Sequence, residues 1–513
     1  MSKIIKDLKI PLGEDLQEKL QLLESDYKTH RILRKSIDAR GVKKPEWIYS
    51  VEIFTQQETP PSDKIVVEKK ISNPTFRPLI IGAGPAGLFA ALRLIERGFK
   101  PILFERGSAC EKRIVSINKF WRYGTLNPED NVCFGEGGAG LYSDGKLITR
   151  IKSPHIPYVM DRLVDFGAPG EIKYLSNPHV GSDKIRRVIP KIREYLLASG
   201  CDIYFNTRVQ RIIFKNQKVM GVKTSDEKEF LSPVVLLATG HSASDMFDHL
   251  HEEGVALEGK SFALGLRIEH SQELINSIQY GEHKDNPELK AANYKLTHHD
   301  STDDIGVYSF CMCPGGYVLS SGTEADGIVA NGMSNYNRGS PYANAAIVVS
   351  INHEKLFGSD VFGGMKLRRQ LEHESFIRVK ENKGTKQIPT QDVLSFLSQT
   401  DSKLTSSSSP SGATPIRLDR ILPPSIYMRL SEALEIFDRK MRGFASRHAQ
   451  LHGMETRTSC PIRVPRSNTT MQSISHFGLF PLGEGAGYAG GITSAACDGV
   501  RTAEAIVDQF GPA

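Results

Sequence analysis

Residues 79–105 form the segment that most restricts the fold of this 513-residue chain. An apolar run at 79–81 leads into the glycine-rich sequence GAGPAG at 82–87. A helical pattern of apolar residues extends from 85 to 97 and ends at Gly98, and a second apolar run at 101–104 ends at Glu105. Strand, helix and strand in this order predict a βαβ unit, and therefore an α/β fold with a parallel sheet.

The glycine-rich sequence has the spacing that a dinucleotide requires. Gly82 allows the tight turn after the strand, Gly84 lets backbone amides approach a pyrophosphate, and Gly87 lets the helix pack closely. Glu105, 23 residues after Gly82, is placed to accept hydrogen bonds from ribose hydroxyls and to disfavour a 2′-phosphate. The predicted dinucleotide residues of this unit are Gly82, Ala83, Gly84, Pro85, Ala86, Gly87, Glu105 and Arg106.

Composition narrows the class of protein. The net charge of +6 is small for this length and does not by itself indicate a nucleic-acid partner. The seven cysteines lack the spacing of a disulfide framework, and no second Cys/His pair has metal-ligand spacing, so we expect reduced thiols and no metal. The N-terminus has no signal-peptide pattern, and no apolar run reaches the ~18 residues that span a bilayer. We therefore expect a cytoplasmic protein with no membrane contact.

The C-terminal segment resembles the closing motif of the glutathione-reductase-like FAD superfamily. Gly483 and Glu484 end a predicted strand, and Gly490, Gly491 and Ile492 open the last helix. In that superfamily an acidic residue at this point, usually Asp, binds the ribityl or phosphate region, and the helix N-terminus faces the flavin N1/C2=O edge. The resemblance therefore implies FAD, with Glu484 in the acidic position.

The segment VVLLATG (234–240) resembles the A-T-G strand end of the same superfamily, which implies cofactor contacts for Thr239 and Gly240. A β-meander is predicted at 209–231, where the superfamily inserts one, and Val209 would contact the adenine through its backbone. A second strand–GxGxxG–helix unit for NAD(P)H is missing from the sequence. The resemblance therefore implies one Rossmann-type domain with an inserted substrate domain.

This plan divides the chain into an N-terminal α+β module (1–72), a Rossmann-type FAD-binding domain with a meander (73–260), an inserted α+β substrate domain (261–452) and a return to the FAD domain (453–513). A hairpin is predicted around residues 41–45 and another short strand after TPPSD (59–63). Pro190 is expected to kink its helix. The serine-rich residues 402–415 are predicted to be a mobile surface loop.

Several strings together resemble one family, the poorly characterised bacterial FAD-dependent dehydrogenases. They are RKSIDAR (34–40), FGEGGAGLYSDGKL (134–147), NPHVGSD (177–183), FALGLRIEH (262–270), SFCMCPGGYV (309–318), ETRTSCPIRV (455–464) and PLGEGAGYAGGITSAACDG (481–499). The resemblance covers nearly the whole chain. Departures include Cys460, where a small hydroxyl residue is commoner, and Cys497, where an aliphatic residue is commoner.

The glycine-rich stretch 134–147 corresponds, in FAD enzymes of this architecture, to a loop that passes the pyrophosphate and one edge of the isoalloxazine ring. This implies flavin contacts for Gly137, Gly138 and Gly140, because side chains there would collide with the cofactor. Ser143, Asp144 and Lys146 follow as pocket candidates, and Lys146 near the ring would raise its redox potential.

Four side chains are candidates for catalysis: Lys146, Arg267, His270 and Arg457. Arg267 can hold a carboxylate substrate in a bidentate manner, and His270 can donate a proton near neutral pH. A strand-edge charge pair with Glu269 is the alternative for this strand end. Cys311 and Cys313, which would share a strand face, are either a redox pair or buried packing residues.

The sequence thus predicts an FAD-dependent oxidoreductase that transfers hydride between a small-molecule substrate and flavin N5, with NAD(P)H as a diffusible electron donor. Two alternatives remain open. A basic N-terminal module (Arg31, Arg34, Lys35, Arg40, Lys43 and Lys44) can track a phosphate backbone, which would make RNA the substrate. Alternatively, the flavin is structural and the protein is a binding scaffold.

Overall fold

The N-terminal module is a three-stranded antiparallel sheet with one helix. The computed structural model describes residues 2–39, 44–60, 74–300 and 305–511. The elements of the module are β1 (Lys3–Pro11), α1 (Leu16–Leu23), β2 (Tyr27–Asp38) and β3 (Glu46–Thr55). β3 is the central strand, and its antiparallel pairing with β2 confirms the predicted hairpin. Residues 41–43 of its turn and the strand predicted after residue 63 lie outside the described residues.

Hydrogen bonds from the outer strand β2 and from Trp47 of the central strand β3 connect the module to the main body. The Lys35 amide donates to the Tyr174 carbonyl oxygen (2.8 Å), and the Ser176 amide donates to the Lys35 carbonyl oxygen (2.9 Å). The Trp47 indole donates to the Glu288 carboxylate (2.9 Å). The main body therefore covers part of the edge of β2 that a free sheet would expose.

A parallel five-stranded sheet is the centre of the main body. Its elements in chain order begin with β4 (Leu79–Ile81), α2 (Pro85–Glu96), β5 (Ile102–Phe104), α3 (Cys110–Tyr123), α4 (Ile156–Asp165), α5 (Gly181–Ala198), β6 (Asp202–Tyr204), β7 (Val209–Lys215), β8 (Lys218–Thr224), β9 (Glu229–Leu231), β10 (Val235–Leu237) and α6 (Ser244–Glu252). The fifth strand, residues 479–481, pairs with β10. Counted along the chain, the strand order is 3-2-1-4-5, which is the Rossmann order.

Two local predictions in this region are confirmed by the structure. The β4–α2–β5 unit is a parallel strand–helix–strand, and β7, β8 and β9 form an antiparallel meander.

The helix α5 runs through Pro190 without ending there. Proline lacks the amide that would bond to the Arg186 carbonyl oxygen one turn earlier. The Cys110 thiol donates to that carbonyl instead (3.5 Å).

The residues between β10 and the fifth strand contain a second sheet of seven strands and two separate strand pairs. The elements are β11 (Glu258–Gly259), β12 (Phe262–Ser271), α7 (Gln272–Tyr280), β13 (Thr297–Asp300), β14 (Ile305–Cys313), β15 (Gly316–Ser320), β16 (Ala330–Ser334), β17 (Tyr342–Ile351), α8 (His353–Phe357), α9 (Gly363–Glu381), β18 (Ile388–Asp392), α10 (Val393–Leu397), β19 (Ala413–Pro415), α11 (Pro424–Lys440), β20 (Gln450–Glu455) and β21 (Ile462–Arg463). The strand order in the sheet is β13-β14-β17-β12-β20-β18-β19.

The central strand β12 is buried on both faces. Leu264, Leu266 and Ile268 pack in one core with helix α11. Arg267 and Glu269 therefore point to the opposite face, because successive side chains alternate along a strand. His270 returns to the helix-covered face.

The serine-rich segment 402–415, which was predicted to be a mobile surface loop, is hydrogen-bonded to this sheet. The Ser408 amide donates to the Glu269 carboxylate (3.2 Å), and the Val318 amide donates to the Ser408 hydroxyl (2.8 Å). The Gln450 side chain donates to the Ser406 carbonyl oxygen (2.8 Å). β19, at the end of the segment, extends the sheet by pairing with β18.

The chain ends in β22 (Leu479–Pro481) and α12 (Ile492–Phe510), which return to the Rossmann sheet. Helix α12 packs so closely on α2 that a side chain at Gly499 would collide with the Ala86 carbonyl oxygen. Among the described residues, no helix combines the length and the apolar character needed to cross a membrane.

Candidate functional site

A cavity of about 920 Å³ lies where the carboxyl ends of the Rossmann strands meet the inserted sheet. Ligands of open α/β sheets bind at this edge. Most of the predicted dinucleotide residues line the cavity, namely Gly82, Gly84, Pro85, Ala86, Glu105, Arg106, Gly138, Gly140, Val209, Thr239, Gly240, Gly483, Glu484, Gly490, Gly491 and Ile492. Ala83, Gly87 and Gly137 are behind this wall: the Gly137 amide donates to the Ala83 carbonyl oxygen (2.9 Å).

The glycines of the first loop serve different purposes. Gly82 has φ +106°, and a side chain there would collide with the Ala238 carbonyl oxygen. A side chain at Gly87 would collide with the Gly82 carbonyl oxygen. Gly84 differs, because it has an extended backbone, lines the cavity, and its nearest neighbour for an added Cβ is the Gly138 Cα at 3.9 Å. The protein itself therefore does not require glycine at position 84, and the space remains for a ligand.

The second glycine stretch, 134–147, contacts both nucleotide-binding elements. A Cβ at Gly138 would lie 3.1 Å from the Gly84 Cα, and one at Gly140 would lie 2.9 Å from the Ile492 Cγ1. Packing against α2 and α12 is thus a reason for glycine here, in addition to the predicted contact with a cofactor. Gly137 packs against Leu141 and is corrected to a position behind the cavity wall.

Arg113 holds this loop, and sequence reasoning missed it. Its side chain is fully buried behind the loop. The guanidinium donates to five carbonyl oxygens, those of Asn131, Val132, Gly135, Glu136 and Gly138. A signal was available, because the buried positions 110, 113, 117, 120 and 121 of α3 place Arg113 on the apolar face of that helix.

Glu105 joins the loops around the cavity. Its carboxylate accepts hydrogen bonds from the backbone amides of Ala83 (2.9 Å), Gly107 (3.0 Å) and Gly135 (2.9 Å). A carboxylate has about four acceptor positions, so one remains for a ligand hydroxyl. The predicted contact with a ribose stays a prediction, and the structure adds a role in connecting the two glycine-rich loops.

Arg267 is corrected from a substrate-binding residue to a buried support of the wall. Its guanidinium makes two hydrogen bonds of 2.8 Å to Glu455 and one of 2.8 Å to Asn344. Glu455 lines the cavity, whereas Arg267 is fully buried behind it. The Arg267 side chain points to the face of β12 opposite the helix-covered core, but its positive charge is already paired with Glu455.

His270 is corrected as well, because it lies on the helix-covered face of β12 and not at the cavity. Its ring is hydrogen-bonded to the Phe444 carbonyl oxygen (2.8 Å). Burial lowers the pKa of His270 to about 4, so the ring is neutral at pH 7 and is unsuited to donate a proton there.

Arg457 does line the cavity, but all of its N–H groups have protein acceptors. It donates to Glu372 (2.7 and 3.0 Å), Glu324 (2.5 Å), Thr323 (2.6 Å) and Ser242 (3.1 Å). A guanidinium has five N–H donors, so none is left for a substrate. The structure therefore makes Arg457 a wall residue.

Lys146 and Asp144 occupy the cavity wall as predicted, and Ser143 lines it beside them. The Lys146 ammonium donates to the Met312 carbonyl oxygen and lies 3.5 Å from the Asp144 carboxylate. Asp144 is buried and accepts a hydrogen bond from the Ser334 hydroxyl. The ammonium of Lys146 is thus held at the wall from two sides.

Cys311 and Cys313 do not share a strand face, which corrects that prediction. A bulge between Phe310 and Cys313 interrupts the pairing of β14 with β17, and Cys311 has φ +43°. Cys311 is exposed, and Cys313 is buried with its thiol donating to the Cys311 carbonyl oxygen (3.3 Å). Among the described residues, no group of three His, Cys, Asp or Glu side chains is arranged to hold a metal ion.

Residues 261–458 match the family model described as FAD-dependent protein, C-terminal domain-like. An uncharacterised protein of Clostridium beijerinckii is 40% identical over an alignment 531 residues long including gaps, which covers 99% of this chain and 98% of that protein. The chain belongs to this family of FAD-dependent proteins. FAD is its cofactor.

Two further proteins are similar to this chain at lower sequence identity. A thiamine thiazole synthase of Pyrobaculum calidifontis is 28% identical over 202 residues, which cover 36% of this chain and 64% of that enzyme. The crystal structure of CtdE in complex with FAD has a TM-score of 0.33 and 13% identity, and the alignment covers 86% of this chain and 90% of CtdE.

The residues of the cavity fit the cofactor of an FAD-dependent protein. The N-termini of α2 and α12 both open on the cavity, at Gly84 and Gly491, where their partial positive charge suits phosphates and an electron-rich ring edge. Gly84 leaves space that no protein atom uses. Glu484 lines the same cavity.

Glu484→Gln is expected to remove a pH dependence from the free energy of unfolding of the FAD-free protein. Burial raises the pKa of Glu484 from 4.5 to about 7, although Lys260 and Arg368 oppose the shift. The folded chain therefore holds this proton at pH values where the unfolded chain has lost it. The associated stability is complete below pH 4.5 and is lost, by up to about 3 kcal/mol, as the pH rises to 7.

Urea unfolding at pH 5 and pH 8 measures this effect as a difference between variant and wild type. Glu194→Gln, at an exposed position of α5, is the matched control and should keep the wild-type dependence. An unchanged pH slope in Glu484→Gln would contradict the assignment.

Proposed function

We propose that the protein is an FAD-dependent oxidoreductase that transfers hydride between a small-molecule substrate and N5 of the flavin. The observation that supports this proposal is the continuity of the cavity. It runs from the nucleotide loops of the Rossmann sheet to side chains of the inserted domain, including Tyr294, Phe310 and Asn331. A dinucleotide at one end would leave the other end for a second molecule in contact with it.

When bound, the flavin supplies a two-electron acceptor or donor, and the chain supplies position and electrostatics. Side chains of the inserted domain line one side of the cavity. The Lys146 ammonium lies at the cavity wall, where it donates a hydrogen bond to the Met312 carbonyl oxygen. We propose Lys146 as the catalytic cation, and Arg113 and Glu105 as positioning residues for the loops.

Purified protein tests this function directly. We expect a yellow protein that binds about one FAD per chain and whose visible absorbance bleaches anaerobically with NADH, NADPH or one of a panel of metabolites. A colourless protein that does not take up FAD would refute the proposal. Bound FAD that no donor bleaches would favour the scaffold alternative.

The described contacts of the N-terminal module do not favour the RNA alternative. Arg31 pairs with Glu52 (2.5 Å), Arg34 donates to the Ser176 hydroxyl (2.9 Å), and the Lys35 ammonium lies 4.1 Å from the centroid of the Trp47 ring system. These cations contact protein groups. Arg40 and Lys43 lie outside the described residues.

A further inference from the structure

Two cationic side chains reach the end of the cavity that the inserted domain builds. Arg150 lies on the segment that follows the glycine-rich stretch, and Lys295 lies shortly before β13. Both are exposed and both line the cavity. Neither belongs to a nucleotide-binding loop of the Rossmann sheet.

Strand β14 lines the same cavity as the two cations. The Ser309 amide donates to the Leu296 carbonyl oxygen (2.8 Å), and the Leu296 amide donates to the Ser309 hydroxyl (2.8 Å), so Lys295 directly precedes a residue that is bonded to β14. Burial raises the pKa of Tyr308, and the Arg150 charge opposes that rise. Both cations therefore border the cavity that β14 lines.

The carboxylates of this region are already neutralised by other cations. Asp144 lies 3.4 Å from the Arg338 guanidinium and 3.5 Å from the Lys146 ammonium. Glu455 forms the two-bond pair with Arg267 described above.

Arg150 and Lys295, in contrast, form no ion pair with any described residue. Their N–H groups are therefore available, and their positive charge is not balanced within the cavity. A ligand anion in the cavity is the natural partner of these groups, because their positive charge attracts it.

Aromatic side chains stand beside the two cations. Tyr294, Tyr308 and Phe310 line the same end of the cavity. The Tyr294 hydroxyl is buried and has no hydrogen-bond partner among the described residues. Such walls favour a planar or apolar body attached to the anionic group.

We propose that the substrate of this oxidoreductase is an organic anion, whose carboxylate or phosphate is held by Arg150 and Lys295 while its apolar body lies against Tyr308 and Phe310. This inference rests on the function proposed above. It assigns the anion to the end of the cavity that the inserted domain builds, opposite the dinucleotide loops.

Calorimetric titration of the full-length FAD-loaded protein with benzoate, phenyl phosphate and neutral benzamide tests the proposal. We expect at least one of the two anions to bind more tightly than benzamide and to bind more weakly at high salt. In the double variant Arg150→Met/Lys295→Met, the affinity for that anion should fall about 10- to 100-fold, as for lost charge-assisted hydrogen bonds. Benzamide binding should not change.

The double variant Arg187→Met/Lys215→Met removes two exposed cations outside the cavity and is the matched control. Preference for benzoate or for phenyl phosphate identifies the anionic group. Anions that bind no better than benzamide, or whose affinity survives Arg150→Met/Lys295→Met, would overturn the proposal. If the protein never takes up FAD, the proposed function fails separately, and the same titration of the FAD-free protein still decides the anion site.

Discussion

Arg113→Met is expected to lower the free energy of unfolding by about 3–5 kcal/mol and to abolish FAD retention. The fully buried guanidinium donates to five carbonyl oxygens, and a methionine of similar length can donate to none of them. The Gly135 and Gly138 carbonyl oxygens keep backbone partners, whereas those of Asn131, Val132 and Glu136 lose the Arg113 donor. Removing one member of a buried charged network has costs of this order. Urea unfolding measures the stability change, and FAD fluorescence after gel filtration measures retention.

The effect on FAD should exceed the effect on the fold because of the direction of one peptide group. The Gly138 carbonyl oxygen points at Arg113 (2.8 Å), and a trans peptide turns the following Ala139 amide the opposite way. Ala139 lines the cavity, so Arg113 directs a backbone donor toward the cofactor. The buried positive charge of Arg113 behind the loop adds to the positive electrostatic potential of this amide.

Arg113→Lys separates positioning from folding. An ammonium has three donors and can satisfy part of the carbonyl set, so we expect a folded protein with weakened FAD binding. Arg187→Met, at an exposed position of α5, should resemble the wild type in both measurements. FAD affinity equal to wild type in folded Arg113→Lys and Arg113→Met would contradict the positioning role.

The parts of the site that are local in sequence were predicted correctly. The turn at Gly82, the helix that follows it and the strand before Glu105 depend on neighbouring residues, so spacing alone defines them. The shared face of Arg267 and Glu269 likewise follows from the alternation of side chains along one strand.

Partners that are distant in sequence were not predictable from spacing. Arg267 is paired with Glu455, 188 residues later, and no local pattern shows that its charge is neutralised. The bulge at Cys311 reverses the expected facing of two thiols, and a bulge depends on the register of strands that are far apart in the chain. Arg113 was missed because its acceptors are backbone carbonyl oxygens, which carry no side-chain signature.

Gly84→Ala is expected to weaken FAD binding about 10- to 100-fold while leaving the FAD-free protein as stable as wild type, within about 1 kcal/mol. Residue 84 has an extended backbone, and no protein atom lies closer than 3.9 Å to the added Cβ, so the substitution does not strain the folded protein. The same Cβ occupies cavity space beside the N-terminus of α2. Overpacking by one methyl group against a tightly held group costs roughly 1–3 kcal/mol, which corresponds to this loss of affinity.

Two matched glycine variants make this test specific to the ligand. Gly82→Ala should lower both stability and affinity, because φ is +106° and the new Cβ would collide with the Ala238 carbonyl oxygen. Gly170→Ala should change neither, since no atom lies within 4 Å of its added Cβ and it does not line the cavity. Chemical unfolding of the FAD-free proteins and fluorescence titration with FAD give the two quantities. If Gly84→Ala binds FAD as tightly as Gly170→Ala, the cofactor does not approach the backbone at residue 84, and the pyrophosphate must be held elsewhere in the cavity.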